Sequence, residues 1–197
     1  MGVARAVSLV LVVVGWSPAM ARAQAATVGD PWAGGVRIGA GVSSWLGTAD
    51  DSMHLGAALG GFVTHRRTRH LALQGELLLH DKGADFRDAS GQAADEALLY
   101  LEAPLLIRYD QEVGELVSIY GVAGPGLAFL VDSKRTERGD LRAFDLTATA
   151  GLGVDLYTPS RYLSIDLRVG LGLLDIFGDD ARRARPLLTS LLFGVEL

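Results

Sequence analysis

Leu163-Ser164-Ile165-Asp166-Leu167-Arg168-Val169-Gly170-Leu171-Gly172-Leu173 alternates a large apolar residue with a polar or very small one at every step. A period of two belongs to an extended strand, whose successive side chains point to opposite faces. Leu163, Ile165, Leu167, Val169 and Leu171 therefore form one surface. Ser164, Asp166, Arg168, Gly170 and Gly172 form the other.

Working outward from this segment, the same alternation returns along the chain. Val36, Ile38, Ala40 and Val42 oppose Arg37, Gly39, Gly41 and Ser43. Leu55, Ala57, Leu59 and Val63 share a face, and Leu71, Leu73, Leu77 and Leu79 stand opposite Gln74, Glu76 and His80. Leu99, Leu101, Leu105 and Ile107 oppose Tyr100, Glu102 and Arg108, while Phe144, Leu146, Leu152 and Val154 oppose Asp145, Thr147, Thr149, Gly151, Gly153 and Asp155. Val117 to Leu130 and Leu187 to Leu197 complete a set of eight segments, each near the ~9 to 11 residues of a tilted membrane strand.

The faces differ in bulk, and this indicates which one points outward. A lipocalin-like soluble barrel turns its apolar face inward and shows polar residues to water. Here the polar face is rich in glycine, which suits the crowded interior of a small barrel, while rows of Leu, Ile and Val suit lipid. The expected fold is all-β: an eight-stranded antiparallel up-and-down transmembrane β-barrel. The connections agree. Those around His65 to His70, Asp110 to Glu115 and Tyr157 to Arg161 are short, whereas Asp81 to Glu96, Asp132 to Arg142 and Asp175 to Arg185 read as longer, more polar loops. Short turns on one rim and long loops on the other are the layout of bacterial outer-membrane barrels, and an even strand number leaves both termini on the short-turn, periplasmic side.

The N-terminus reads as an export signal. Arg5 supplies a positive start, Val7 to Val14 an apolar run, and Ser17-Pro18 a break before the small-residue cleavage context Ala21-Arg22-Ala23. The apolar run is shorter than the ~20 residues of a spanning helix. Residues 1–23 are thus expected to be a cleaved signal peptide and residues 24–197 a single outer-membrane barrel domain. With 49% apolar residues, 21% charged residues and mean hydropathy +0.27, the chain is too apolar for a disordered one. Its lack of cysteine excludes a disulfide framework, a thiolate metal site, a cysteine nucleophile and a lipidated N-terminal cysteine. The net charge of −5, made more negative by removal of Arg5 and Arg22, argues against nucleic-acid binding.

Two prolines interrupt the strand pattern. Pro104 and Pro125 cannot donate a ladder hydrogen bond, so each should mark a β-bulge or a locally unpaired position, and alternation on both sides of Pro104 favours a bulge over a loop boundary. Tyr100-Leu101-Glu102-Ala103-Pro104-Leu105-Leu106-Ile107-Arg108-Tyr109, Tyr120-Gly121-Val122-Ala123-Gly124-Pro125-Gly126 and Leu167-Arg168-Val169-Gly170-Leu171 resemble the outer-membrane β-barrel domain of PorT-like and porin-family proteins. The resemblance covers most of the mature chain and implies an eight-stranded barrel broadly similar to OmpA- and OmpX-type domains, whose relatives mostly have no established activity. It departs at the C-terminus, where Leu197 replaces the terminal aromatic residue common in such proteins, although the alternation Leu191, Phe193, Val195, Leu197 is kept.

Arg37, Glu76, Glu102, Arg108, Asp155, Asp166, Arg168 and Glu196 all fall on the expected lumen face. Buried charges must pair or be hydrated, so this set reads as a salt-bridge network filling the barrel rather than a proton or ion path. Arg37 and Glu196, each one residue inside a terminal strand, are expected to form a cross-strand or near-diagonal ion pair at the closing seam. His80 and Glu76 lack a third ligand for metal. Asp50-Asp51 and Asp179-Asp180 read as solvated loop acids, and His65, Arg66, Arg67, Arg69 and His70 as a basic turn that could touch anionic headgroups. No phosphate loop, EF-hand, nucleophile elbow or HExxH pattern occurs.

The expected protein is a non-enzymatic structural or surface-interaction barrel with a plugged polar interior, without catalytic, cofactor-binding or metal-binding residues. A lipid-modifying enzyme or a narrow diffusion pore is the alternative. Its expected partners are outer-membrane lipids, the barrel-assembly machinery during biogenesis, and an extracellular or periplasmic partner.

Overall fold

A computed structural model describes residues 31–46, 53–87, 93–133, 143–158, 162–174 and 185–197. The eight strands are β1 Trp32–Leu46, β2 His54–Arg66, β3 Leu71–Arg87, β4 Ala93–Glu112, β5 Val117–Ser133, β6 Phe144–Tyr157, β7 Tyr162–Gly172 and β8 Arg185–Glu196. Each pairs antiparallel with the next, and β8 returns to β1, so the sheet is a closed barrel without free edges along the paired wall. The segment 1–23, the Asp50-Asp51 pair and the Asp179-Asp180 pair lie outside the described residues.

The two faces separate as the alternation requires. Ile38, Leu152 and Leu167 are 61%, 72% and 57% exposed, whereas Arg37, Asp166 and Arg168 are 1%, 0% and 3% exposed. A soluble barrel would reverse this order. Trp32 and Tyr109 stand exposed near the short-turn rim, and the Phe129 and Phe144 rings meet at 5.3 Å toward the opposite rim. Aromatic side chains at both ends of the apolar wall match the girdles that mark the membrane interfaces.

Inside, glycine makes room for bulk on the neighbouring strand. A Cβ at Gly153 would collide with the Tyr120 ring and hydroxyl and with the Asp166 carboxylate. Tyr120 therefore lies across β6 and reaches β7, joining three strands through one hydrogen bond to Asp166.

The short connections span residues 67–70, 113–116 and 158–161. At the other rim the expected loop Asp81 to Glu96 is corrected: most of it is strand, with β3 and β4 paired as far as Arg87 and Ala93. Apolar alternation fades there because a hairpin rising into water needs backbone pairing but no lipid-facing residues. The 20 residues of β4, at about 3.3 Å each and a tilt near 45°, rise about 45 Å against an apolar band of about 25 Å.

Of the two expectations for the prolines, the locally unpaired position is the one observed, and the preferred bulge is corrected. Pro104 pairs with Gly126 in unbroken register, and the β4–β5 register shifts instead between Leu99 and Tyr100. The β3–β4 pairing passes from Gly75–Leu105 directly to Leu78–Glu102, leaving an interval beside Pro104. In an antiparallel strand both backbone groups of a residue face one neighbour, so a missing donor opens one ladder and leaves the other intact. Pro125 does the same: it pairs with Ala148 of β6, and the β4–β5 ladder skips the positions beside it.

Candidate functional site

The candidate site is the barrel lumen, where the charged residues form three groups along the axis. Nearest the short-turn rim, Arg108 hydrogen-bonds Asp110 at 2.6 and 2.8 Å and also pairs with Asp155. Arg66 approaches Asp110 at 3.6 Å, and the Arg108 guanidinium lies 3.6 Å from the Tyr120 ring centre, a cation–π stack.

The middle group crosses the barrel. Asp166 of β7 accepts from Arg37 of β1, from the Tyr120 hydroxyl at 2.5 Å and from Arg168 at 3.2 Å. Arg168 also grips Glu76 of β3 through both terminal nitrogens, at 2.5 and 2.9 Å. Glu76 receives a further bond from Gln74 and stands 3.7 Å from Arg37. Two guanidiniums facing two carboxylates leave this layer neutral, the condition under which buried ions are tolerable. Arg37 further stacks on Phe62 at 4.5 Å.

Toward the long-loop rim, Lys82 pairs with Glu102, and the His80 Nε2 stands 3.8 Å from the same carboxylate. Between this group and the middle one lies a cavity of about 20 Å³ lined by His80, Glu102, Thr149, Arg168 and Ser190, among others. That is room for one water, not for a solute.

All of these groups hang from strands of a closed antiparallel barrel with apolar residues outside, and sequence comparison gives the same answer. The profile of the outer membrane protein beta-barrel domain family matches residues 23–178. The chain belongs to this outer-membrane β-barrel family. Among solved structures it is similar to the outer membrane protein OprG from Pseudomonas aeruginosa, at 10% identity over 84% of this chain and 91% of that one, TM-score 0.52. It is also similar to Neisserial surface protein A, at 15% identity over 83% and 97% of the two chains, TM-score 0.51. At such identities the likeness is one of fold. Curated proteins give no match.

As an outer-membrane barrel, the protein directs all eight charges expected in the lumen to that side. Arg37 and Glu196 do not pair, which corrects the expected seam contact. The strands β1 and β8 are antiparallel neighbours as expected, and Arg37, opposite Gly194, is the near-diagonal neighbour of Glu196, opposite Gly35, without an ion pair forming between them. Arg37 instead spans the lumen to Asp166 and Glu76. His80 and Glu76 are likewise not brought together, since Arg168 holds Glu76 and His80 faces Glu102. Among the described residues no three or more His, Cys, Asp or Glu groups converge as a metal site.

Sequence reading missed Lys82 and Asp110, which it placed in loops, and the lumenal role of Tyr120. Continuing the parity of His80 by two residues would have found Lys82. One hydroxyl, imidazole and carboxylate do come near one another at the outer end of the barrel: Ser43 pairs across strands with His54, whose Nε2 lies 3.6 Å from Asp81. Ser43 is only 4% exposed, closed to a lipid-sized substrate. Outside the membrane, a hydrogen bond to Glu112 pushes the Arg69 guanidinium above its ordinary value.

Proposed function

We propose that this outer-membrane protein is a structural or surface-interaction barrel whose lumen passes no solute and whose residues catalyse no reaction. The observation that carries this reading is the cross-lumen network Arg37–Asp166–Tyr120 and Arg168–Glu76, which places bonded side chains from opposite sides of the barrel across its axis. An eight-stranded barrel has an interior that side chains just fill, so a network of this span leaves no continuous path. In this reading residues 1–23 are the cleaved export signal, the assembly machinery inserts the barrel, lipids surround it, and the rim carrying the long β3–β4 hairpin meets the external partner.

The lipid-modifying alternative rests on Ser43, His54 and Asp81, and the burial of Ser43 disfavours it. Planar-bilayer recording tests the reading: the purified protein should give no steady conductance, and lipid A extracted after its expression should keep its mass. Persistent ohmic channels would replace the plug with a pore. An altered lipid A mass that reverts in Ser43→Ala would replace the scaffold with an enzyme.

A further inference from the structure

The basic segment at the β2–β3 connection gives only Arg66 to the lumen groups, and its three arginines have different fates. Arg66 turns toward Asp110 at 3.6 Å. Arg69 is held by Glu112 of β4, bonding both carboxylate oxygens at 2.7 and 3.3 Å. Arg67 is exposed and makes no ion pair among the described residues.

The turn that presents Arg67 is closed by hydrogen bonds. Its backbone N–H donates to the Leu71 carbonyl at 2.9 Å, the Thr68 N–H donates to the same carbonyl at 3.1 Å, and the Thr68 hydroxyl accepts from Leu71 at 3.0 Å. Across the β1–β2 pair, the exposed Trp32 packs its ring on His65 at 4.3 Å, and Val63 is exposed on the wall below. A tryptophan with one polar edge settles at the headgroup level of a bilayer, and Val63 marks the hydrocarbon beneath it. Arg67 follows two residues after His65, past the end of the exposed apolar wall.

We propose that Arg67, with the Trp32–His65 stack, forms a docking site for one anionic phospholipid of the leaflet on the short-turn side. The planar guanidinium takes two phosphate oxygens in a paired geometry that lysine does not reproduce. The partner is a lipid because the cation sits where the apolar wall ends. The neighbouring Glu112 holds a second arginine in reserve: removing that carboxylate frees Arg69 for the same surface.

The test is retention of phosphatidylglycerol against phosphatidylcholine by the full mature barrel extracted from mixed vesicles, read by native mass spectrometry. Arg67→Gln should lower the preference for phosphatidylglycerol about fivefold, corresponding to the ~1 kcal/mol carried by one basic residue at an anionic surface. Arg67→Lys should keep part of it, and Glu112→Gln should raise it. Unchanged retention in Arg67→Gln would overturn the site, and so would a Glu112→Gln variant that retains less than wild type. Displacement of the lipid by millimolar glycerol phosphate would identify a soluble phosphate ligand and overturn the assignment to lipid. Each variant lies on the surface, and heat-modifiable migration on gels verifies that its barrel has folded.

Discussion

Asp166→Ala is expected to lower folding stability by about 3–5 kcal/mol, the cost of removing one partner from a buried ion pair. Asp166 is 0% exposed and receives Arg37, Arg168 and the Tyr120 hydroxyl. Without it, two guanidiniums face the single Glu76 carboxylate and the middle layer of the lumen becomes net positive. Arg37 suffers most, because its remaining acidic neighbour, Glu76, is 3.7 Å away and already bonded twice by Arg168. Its Nε and one terminal nitrogen are already without hydrogen-bond partners. The double variant Arg37→Met, Asp166→Leu should regain most of the loss, since it restores neutrality and removes two desolvated charges together. Urea titration of the barrel folded in lipid vesicles measures both. A single variant within about 1 kcal/mol of wild type would mean that the lumen is wet enough to solvate Arg37, and the plug would fail with it.

Leu167→Arg tests the other face. Leu167 is 57% exposed and pairs with Leu152 and Leu191 on the outer wall, well inside the ends of β7. An arginine there should cost about 2–4 kcal/mol near the bilayer midplane. Ser164→Ala, on the opposite face and at 8% exposure, should change stability only slightly. The same urea titration compares them. Equal losses at the two positions would contradict the assignment of faces.

Strand number and facing were legible in the sequence because lipid on one side and a packed lumen on the other impose a strict period of two. Every outward residue read from Val36 to Val42 and from Leu163 to Val169 is exposed. Strand length was not legible above the apolar band. Beyond Lys82 the β3–β4 pairing runs on to Arg87 and Ala93 without an apolar alternation in the sequence to mark it. Pairing partners were hidden for a different reason. Alternation gives a side chain's direction but not the partner its head group reaches: Arg37 and Glu196 are near-diagonal neighbours across the seam, yet Arg37 turns to Asp166 and Glu76. The proline intervals required the pairing geometry as well, since only the ladder shows which neighbour loses the donor.

Polar residues line the interior while the alternating apolar residues face outward, and the absence of native cysteine allows a direct measurement of this division. Single cysteines at Ile165, Leu167, Val169 and Ser164 would each be reacted with an environment-sensitive fluorophore in the folded barrel, in vesicles containing brominated lipid. Ile165→Cys, Leu167→Cys and Val169→Cys should label and be strongly quenched, whereas Ser164→Cys should label weakly and escape quenching. Quenching of Ser164→Cys as strong as that of Leu167→Cys would contradict the account.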